Sequence, residues 1–455
     1  MEAITILIQE FKIKKLFGSN NVDLKFSNKT TIYIGENGIG KTTVLTIFYY
    51  VLTLNFKKLL RYDFEEIIVK IQDQAYMIKK KDIDRVLKLG LLDRNLNGEI
   101  PFAKLIQETV SIVSYQSICE DNISSSDLDK VYYKVKEKVN VPREIFDQGI
   151  TDIKRLKEYQ QIVNYSSLMR KQHEKYEIIY YPTYRRIEEE ASELNYIVDR
   201  RQRIEPGYDP KKDEKDIGIL IHFGMVDVKE NFDKILNKIT RDSIENFNNM
   251  TLELLEQYSA KELNTKINNE DINKFDIALH RMNPDISEDK VNKIIDEVRN
   301  DSAENGKYLK NLVWTIVNNY KKISDSEKRI ENFVDVCNKY LMYKQLNYDP
   351  KKIVLNIITH NGKEIELEQL SSGEKQLISV FSKVILEEKK KLIVLFDEPE
   401  LSLSLNWQKK FIYDLSKVDR CDLIIAMTHS PFIFDRLFDN TFDLESFIDR
   451  GEFKK

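Results

Sequence analysis

Runs in which apolar and polar residues alternate occupy both ends of the chain, and an apolar period near 3.6 residues fills its middle. Ile4, Ile6 and Ile8, then Phe11 and Ile13, alternate with polar neighbours, and Val22 to Phe26 alternates again around Leu24, which predicts two strands. Thr31-Ile32-Tyr33-Ile34 predicts a third. Glu65 to Ile71 and Ala75 to Ile78, separated by Gln72-Asp73-Gln74, predict a hairpin. From about Asp82 to Tyr176 the pattern turns helical and charged, with Leu87, Leu89, Leu91 and Leu92 near its start and a Lys- and Val-rich stretch from Val131 to Val141. Ile178-Ile179-Tyr180-Tyr181 predicts a returning strand closed by Pro182.

From Val226 to about Leu346 the helical period dominates. Val291, Ile294, Ile295 and Val298; Leu309, Leu312, Val313, Ile316, Val317 and Tyr320; and Ile330, Phe333, Val334, Cys337 and Leu341 recur at i, i+3 and i+4, as core-facing helix stripes do. Gly306 and Asn-rich breaks keep any heptad short, so a compact helical domain or short antiparallel arm is expected rather than a long coiled coil. Ile353 to Ile358 and Ile365 with Leu367, around Asn361-Gly362, predict a second hairpin. Leu392 to Phe396 and Leu423 to Met427 are continuous apolar strands. The pattern divides the chain into a head in three parts, 1–82, 176–190 and 347–455, and two largely helical insertions, 83–175 and 191–346. The expected fold class is α/β, a mixed sheet with flanking helices.

Lys and Arg number 71 against 75 Asp and Glu, a net charge of −4 over 455 residues, so bulk charge argues against a globally basic nucleic-acid binder and identifies no partner. Cys119, Cys337 and Cys421 show no metal-ligand spacing and suit a reducing compartment. No apolar run approaches the roughly 20 residues of a membrane span, and Met1-Glu2-Ala3-Ile4 does not open a signal peptide. A cytoplasmic protein is expected. The polar stretch 191–215 reads as an exposed loop, in which Arg200 to Arg203 suit either an anionic partner or plain solvation.

The chemistry concentrates at strand ends. Gly35-Glu36-Asn37-Gly38-Ile39-Gly40-Lys41-Thr42-Thr43 follows the third strand and opens a helix-like stretch. The spacing G-x-x-x-x-G-K-T turns backbone N–H groups around a phosphate, with Lys41 reaching the terminal phosphates and the Thr42 hydroxyl on Mg²⁺. Asp397-Glu398-Pro399-Glu400 ends an apolar strand, where the first carboxylate suits Mg²⁺ and the second the attacking water. Leu370-Ser371-Ser372-Gly373-Glu374-Lys375-Gln376 opens another helix, a second phosphate-binding device by its dipole and free N–H groups. One nucleotide does not need two such devices from one protomer, so ATP is expected to lie between the first loop of one subunit and this helix start of another. His429 ends the strand Leu423 to Met427 within Thr428-His429-Ser430-Pro431, a position suited to a terminal phosphate; His173, His222, His280 and His360 have no such context. Thr183-Tyr184-Arg185-Arg186 reads equally as a further ligand-facing strand end and as a solvated turn.

Taken together and in this order, G-E-N-G-I-G-K-T-T, L-S-S-G-E-K-Q, L-I-V-L-F-D-E-P-E and T-H-S-P resemble the ABC-type ATPases of the RecF, SMC and OLD kind. The resemblance covers roughly half of the chain, the ATPase head. It implies Lys41 and Thr42 as phosphate and Mg²⁺ ligands, Asp397 as the Walker B carboxylate, Glu398 as the base, His429 as the switch, and Ser371 and Gly373 as signature contacts in trans, with Ser372 and Glu374 beside them. The family's glutamine loop has no clear match.

The P-T-Y-R-R-I-E stretch, D-E-P-E-L-S-L-S followed by Trp407-Gln408, and T-H-S-P-F-I-F further resemble the AriA-type ATPase subunits of PARIS anti-phage systems. That resemblance implies a homo-oligomer, a hexamer in that family, holding a Toprim-type, AriB-like nuclease and releasing it when a phage-encoded trigger protein is sensed. OLD-type proteins carry the Toprim domain after the ATPase; the stretch after His429 is too short for one, so any nuclease is expected on another chain. A RecF- or SMC-like DNA-binding maintenance ATPase and a Septu-type ATPase acting with an HNH nuclease are the alternatives. Modest charge and the lack of a long coiled coil count against the first. A transporter motor is disfavoured by the large insertions.

Overall fold

The computed structural model describes residues 7–88, 123–139, 141–156, 160–183, 225–260, 266–299, 304–322, 324–388 and 390–450. The expectations for Ile4, Ile6, Leu89, Leu91, Leu92, Cys119, Tyr184 to Arg186, the stretch 191–215 and His222 lie outside the described residues.

In chain order, β1 (Ile8–Leu16), β2 (Asn20–Lys25) and β3 (Thr30–Ile34) lead into α1 (Lys41–Leu52) and the short α2 (Phe56–Leu59), then β4 (Glu66–Ile71) and β5 (Gln74–Lys79). Helices α3 (Lys80–Lys88), α4 (Ser125–Lys138), α5 (Arg143–Leu156) and α6 (Gln160–Lys175) precede β6 (Tyr176–Tyr181). Helices α7 (Met225–Ala260), α8 (Asn269–Met282), α9 (Glu288–Arg299), α10 (Glu304–Lys321) and α11 (Ser324–Asn338) precede β7 (Lys344–Asp349), β8 (Val354–Thr359) and β9 (Glu364–Ile365). The last part holds α12 (Ser372–Phe381), continued by a π-helical turn at Ser382–Leu386, then β10 (Lys391–Asp397), α13 (Leu405–Ser416), β11 (Cys421–Thr428), β12 (Thr441–Asp443) and β13 (Ile448–Asp449).

The chain forms two compact units. The first takes Met1–Tyr184, Lys390–Pro399 and Cys421–Lys455. Its parallel sheet has the order β12-β3-β11-β10-β6. Its β10 and β11 are near-continuous buried apolar runs, as strands covered on both faces must be. Helix α1 packs on this sheet with Val44 to Leu52 all buried, so it is apolar nearly all round. The second sheet, β13-β2-β1-β4-β5, is antiparallel, and its β1 buries Phe11 and Ile13 while Lys14 faces solvent. The mixed sheet expected for the head is thus realised as one parallel and one antiparallel sheet.

Two local features differ from the sequence pattern. The β4–β5 connection has two residues rather than three, because Gln72 and Asp73 both take positive φ (47° and 66°) and Gln74 already pairs with Ile71. This mirror-image turn matches the right-handed twist of the flanking strands. At the C-terminal end, β12 adds to β3 and β13 adds to β2. With three and two residues they are too short for alternation to be legible.

The second unit takes Arg185–Lys389 and Glu400–Arg420. Its helices close around Met250, Phe275, Ala278, Val298, Val313, Ile316, Val317 and Tyr320, which include much of the expected apolar stripe. The helical reading ran to about Leu346, whereas α11 ends at Asn338 and Lys344–Asp349 pairs with β8. Only Leu346 of that strand is buried, so pairing rather than apolar alternation makes it a strand.

Candidate functional site

Within the first unit, β3, β10 and β11 run parallel as neighbours and end at the same edge of the sheet. That edge receives the Gly35–Thr43 loop from β3, Asp397-Glu398 from β10 and Thr428-His429 from β11. The loop is anchored to the sheet by the Gly35 N–H, which donates to the Thr428 carbonyl at 3.2 Å. Gly38 and Gly40 take φ of 88° and 101°, which side chains with a Cβ rarely adopt, and this lets the loop curl into the start of α1. Gly40 caps α1 without a side-chain bond, and the first turn carries no acidic residue. The first N–H groups of the helix and its positive dipole end therefore face the loop, as an anion site requires.

Lys41 is buried, and its ammonium donates to the carbonyls of Gly35 at 2.9 Å and Glu36 at 3.1 Å and to Asn37 Oδ1 at 3.5 Å. Glu398 Oε1 lies 3.9 Å from the same ammonium and 3.4 Å from His429 Nδ1. Glu398 reaches this point because its N–H donates to the Met427 carbonyl at 2.8 Å, prolonging the β10–β11 ladder by one residue, while its φ of 50° turns the chain off the strand before Pro399. A non-glycine residue in the left-handed region is held there by its surroundings, and such positions cluster at functional sites. Asp397, one residue earlier, is buried at 2 % exposure. The donor set fits a nucleotide with Mg²⁺: a hydroxyl at Thr42, a carboxylate at Asp397, one ammonium and a helix start. Thr43 occupies the first turn of α1.

The remaining expected site residues lie in the second unit, at the start of α12. Ser371 caps this helix and forms a capping box with Glu374: the Glu374 N–H donates to Ser371 Oγ at 3.4 Å, and the Ser371 N–H donates to Glu374 Oε2 at 2.7 Å. Lys344 donates to the same carboxylate oxygen at 2.8 Å. Burial opposes the charge on Glu374, but the Lys344 bond and those from Ser371 outweigh it and hold its pKa below the ordinary value. Glu374 thus shapes the helix start. Ser372 begins the helix and is exposed, and Gly373 is buried because a Cβ there would stand 2.4 Å from the Ser402 carbonyl oxygen and 3.0 Å from the Trp407 ring.

Sequence reasoning singled out neither Lys344 nor Thr46. Lys344 carries no signal, since it meets Glu374 only through the fold. Thr46 donates to the Thr42 carbonyl at 2.6 Å and meets the Tyr180 hydroxyl at 3.2 Å. Its place four residues after Thr42 on a helix is the one hint that was available. Of the other histidines, His173 contacts the Leu52 carbonyl at the far end of α1 from the loop, and His280, in the second unit, contacts the Asp276 carbonyl.

A parallel sheet whose strand ends carry a glycine-rich phosphate loop, an Asp-Glu pair and a histidine defines a P-loop ATPase head. Residues 7–434 match AAA_15, the family described as AAA ATPase domain, and the chain belongs to that family. No curated protein matches it. Solved structures to which the chain is similar include the Smc head domain with an extended coiled coil bound to the C-terminal domain of ScpA from Pyrococcus furiosus, at 13% identity over 95% of this chain and 91% of that one, with a TM-score of 0.30. Another is the SmcHead bound to the C-winged helix domain of ScpA, at 11% identity over 94% and 91%, with a TM-score of 0.31.

Proposed function

We propose that the protein hydrolyses ATP at the Gly35–Thr43 loop, that a second protomer completes the site with Ser371 to Glu374, and that this association controls a separate effector in bacterial anti-phage defence. The observation that carries the reading is the Glu398 carboxylate, set between the Lys41 ammonium and the His429 ring. Lys41 and the first N–H groups of α1 bind the terminal phosphates. Thr42 and Asp397 hold Mg²⁺, which offsets the charge that develops on the phosphoryl oxygens. Glu398 accepts a proton from the attacking water, and His429 contacts the terminal phosphate and reports its presence. The start of α12, with its dipole and free N–H groups, supplies the contact in trans.

The finer reading is an AriA-like subunit of a PARIS system. It forms a homo-oligomer, a hexamer by that likeness, that holds a Toprim-type nuclease and releases it when a phage-encoded protein is sensed. The support for it is the motif set named above. Complementation tests the shared site: Lys41→Ala and Ser371→Arg variants, each inactive alone, should recover ATPase activity on mixing, because one composite site per mixed dimer is intact. No recovery would overturn the shared site. A Toprim-type neighbouring gene whose product co-purifies with the chain supports the defence reading, and an HNH-type neighbour replaces it with the Septu-type one.

A further inference from the structure

Helix α1 is gripped at two points by one continuous segment, residues 160–181, in which α6 runs directly into β6. At the end far from the loop, the Tyr165 hydroxyl donates to the Val51 carbonyl at 3.1 Å, and His173 Nε2 lies 2.8 Å from the Leu52 carbonyl. Nearer the loop the grip is Tyr180, whose hydroxyl lies 3.2 Å from Thr46 Oγ1. Both residues are buried, Thr46 completely.

The polarity of that second contact follows from the bond beside it. Thr46 Oγ1 donates its single proton to the Thr42 carbonyl at 2.6 Å, so towards Tyr180 it can only accept. The tyrosine hydroxyl therefore donates, and a directed chain runs from Tyr180 through Thr46 to the backbone of Thr42. Bonds linked in this way polarise and strengthen one another in a buried setting. Tyr180 also stands in register with Leu395 of β10, two residues before Asp397. Successive strand residues face opposite ways, so Tyr180, Leu395 and Asp397 share the sheet face against which α1 packs. The next pair, Tyr181 and Phe396, stacks on the other face with ring centres 4.9 Å apart. Strand β6 is thus tied to both elements that carry the Mg²⁺ donors, α1 with the Thr42 hydroxyl and β10 with the Asp397 carboxylate.

We propose that Tyr180 and Thr46 are positioning residues for the metal: they hold the first turn of α1 at the spacing from β10 at which Thr42 and Asp397 share one Mg²⁺. This rests on the assignment of Thr42 and Asp397 to Mg²⁺. The ion demands near-ideal octahedral geometry with donors at about 2.0–2.1 Å, so a small displacement of one donor weakens its hold. Loss of the Tyr180 hydroxyl leaves Lys41 and the loop N–H groups in place, so the metal response moves while metal-free nucleotide binding does not.

The test uses the full-length protein and a fluorescent ATP analogue, titrated in excess EDTA and again across a range of MgCl₂ concentrations. Tyr180→Phe keeps the ring beside Tyr49, 5.2 Å away, and removes only the donor. The MgCl₂ concentration that half-saturates the binding response should rise about tenfold, with affinity in EDTA unchanged. Thr46→Val should do the same, and the double variant should add little, because both substitutions break one chain. Thr46→Ser keeps a hydroxyl and should stay near wild type. Tyr165→Phe loses a buried hydroxyl bond at the other end of α1 and should lower the thermal midpoint without moving the Mg²⁺ response. An unchanged Mg²⁺ response in Tyr180→Phe would overturn the proposal, and so would an equal shift in Tyr165→Phe, which would mean that α1 is merely loosened. Thr42→Ala separates this outcome from the metal assignment itself. If Thr42→Ala shifts the Mg²⁺ response and Tyr180→Phe does not, only the positioning role falls; if Thr42→Ala leaves it unchanged, the assignment falls and the proposal with it.

Discussion

The Glu398 carboxylate stands 3.9 Å from the Lys41 ammonium, although β10 and β3, the strands that deliver them, do not touch and are bridged by β11. Glu398 directly follows β10, whereas Lys41 opens α1 after the loop that leaves β3, and the parallel sheet brings the two strand ends to one edge. Substitutions at the two positions should therefore separate binding from chemistry. On the proposed roles, Lys41→Ala would remove a phosphate ligand and should lower nucleotide affinity by about tenfold or more. Glu398→Gln would keep the shape and lose the proposed base, so binding should persist while turnover falls by about 10²–10⁴-fold. Fluorescent-nucleotide titration beside steady-state phosphate release checks both, and wild-type turnover in the Glu398 variant would remove the base assignment.

His429 Nδ1 lies 3.4 Å from the same carboxylate oxygen, Oε1, with its own side chain 44% exposed. If it reads the terminal phosphate, His429→Ala should lower kcat by at least tenfold and leave ADP affinity unchanged. Equal losses for ADP and ATP would mean that the ring shapes the loop as a whole.

Gly373 has no room for a Cβ, because the Ser402 carbonyl oxygen would lie 2.4 Å away. Gly373→Ala should cost about 1–3 kcal/mol by overpacking, a clear drop in the thermal midpoint. Intrinsic fluorescence should shift with it, since the Trp407 ring is the other near neighbour. An unchanged midpoint would show that Ser402 can withdraw.

Glu374 ionises more readily in the folded chain than its ordinary value of 4.5, because Lys344 and Ser371 outweigh the cost of its burial. A carboxylate with a depressed folded pKa adds stability above its unfolded pKa, and that contribution disappears as pH falls through the folded value. The resistance of the wild type to chemical unfolding should thus fall on acidification below about 4.5, and Glu374→Gln should reduce that dependence. A Gln variant with the same slope would assign the acid sensitivity to other carboxylates.

Arg281 and Glu327 form an ion pair with both side chains 5% exposed. Removing one partner of a buried pair leaves an uncompensated charge and costs about 3–5 kcal/mol. Glu327→Ala should show that loss in denaturant unfolding, and the double variant Arg281→Met with Glu327→Leu should recover much of it.

Sequence and tertiary structure divided the determination of this protein along a physical line. The sequence alone settled what depends on neighbours along the chain: the Gly35–Thr43 loop, the buried runs of β10 and β11, and the helical stripes of the bundle, each a periodicity or spacing within some ten residues. Glycine at 38 and 40 was likewise legible, because the phosphate-loop spacing and their positive φ follow from the same local turn. Tertiary structure decided what depends on partners distant in sequence. The strand β7 exists only because β8 pairs with it. Short β12 and β13 exist only because β3 and β2 offer free edges. Lys344 meets Glu374, Ser402 excludes any side chain from Gly373, and Tyr180 reaches Thr46. None of these contacts leaves a periodic trace, because each depends on the packing of elements and on no residue's immediate neighbours.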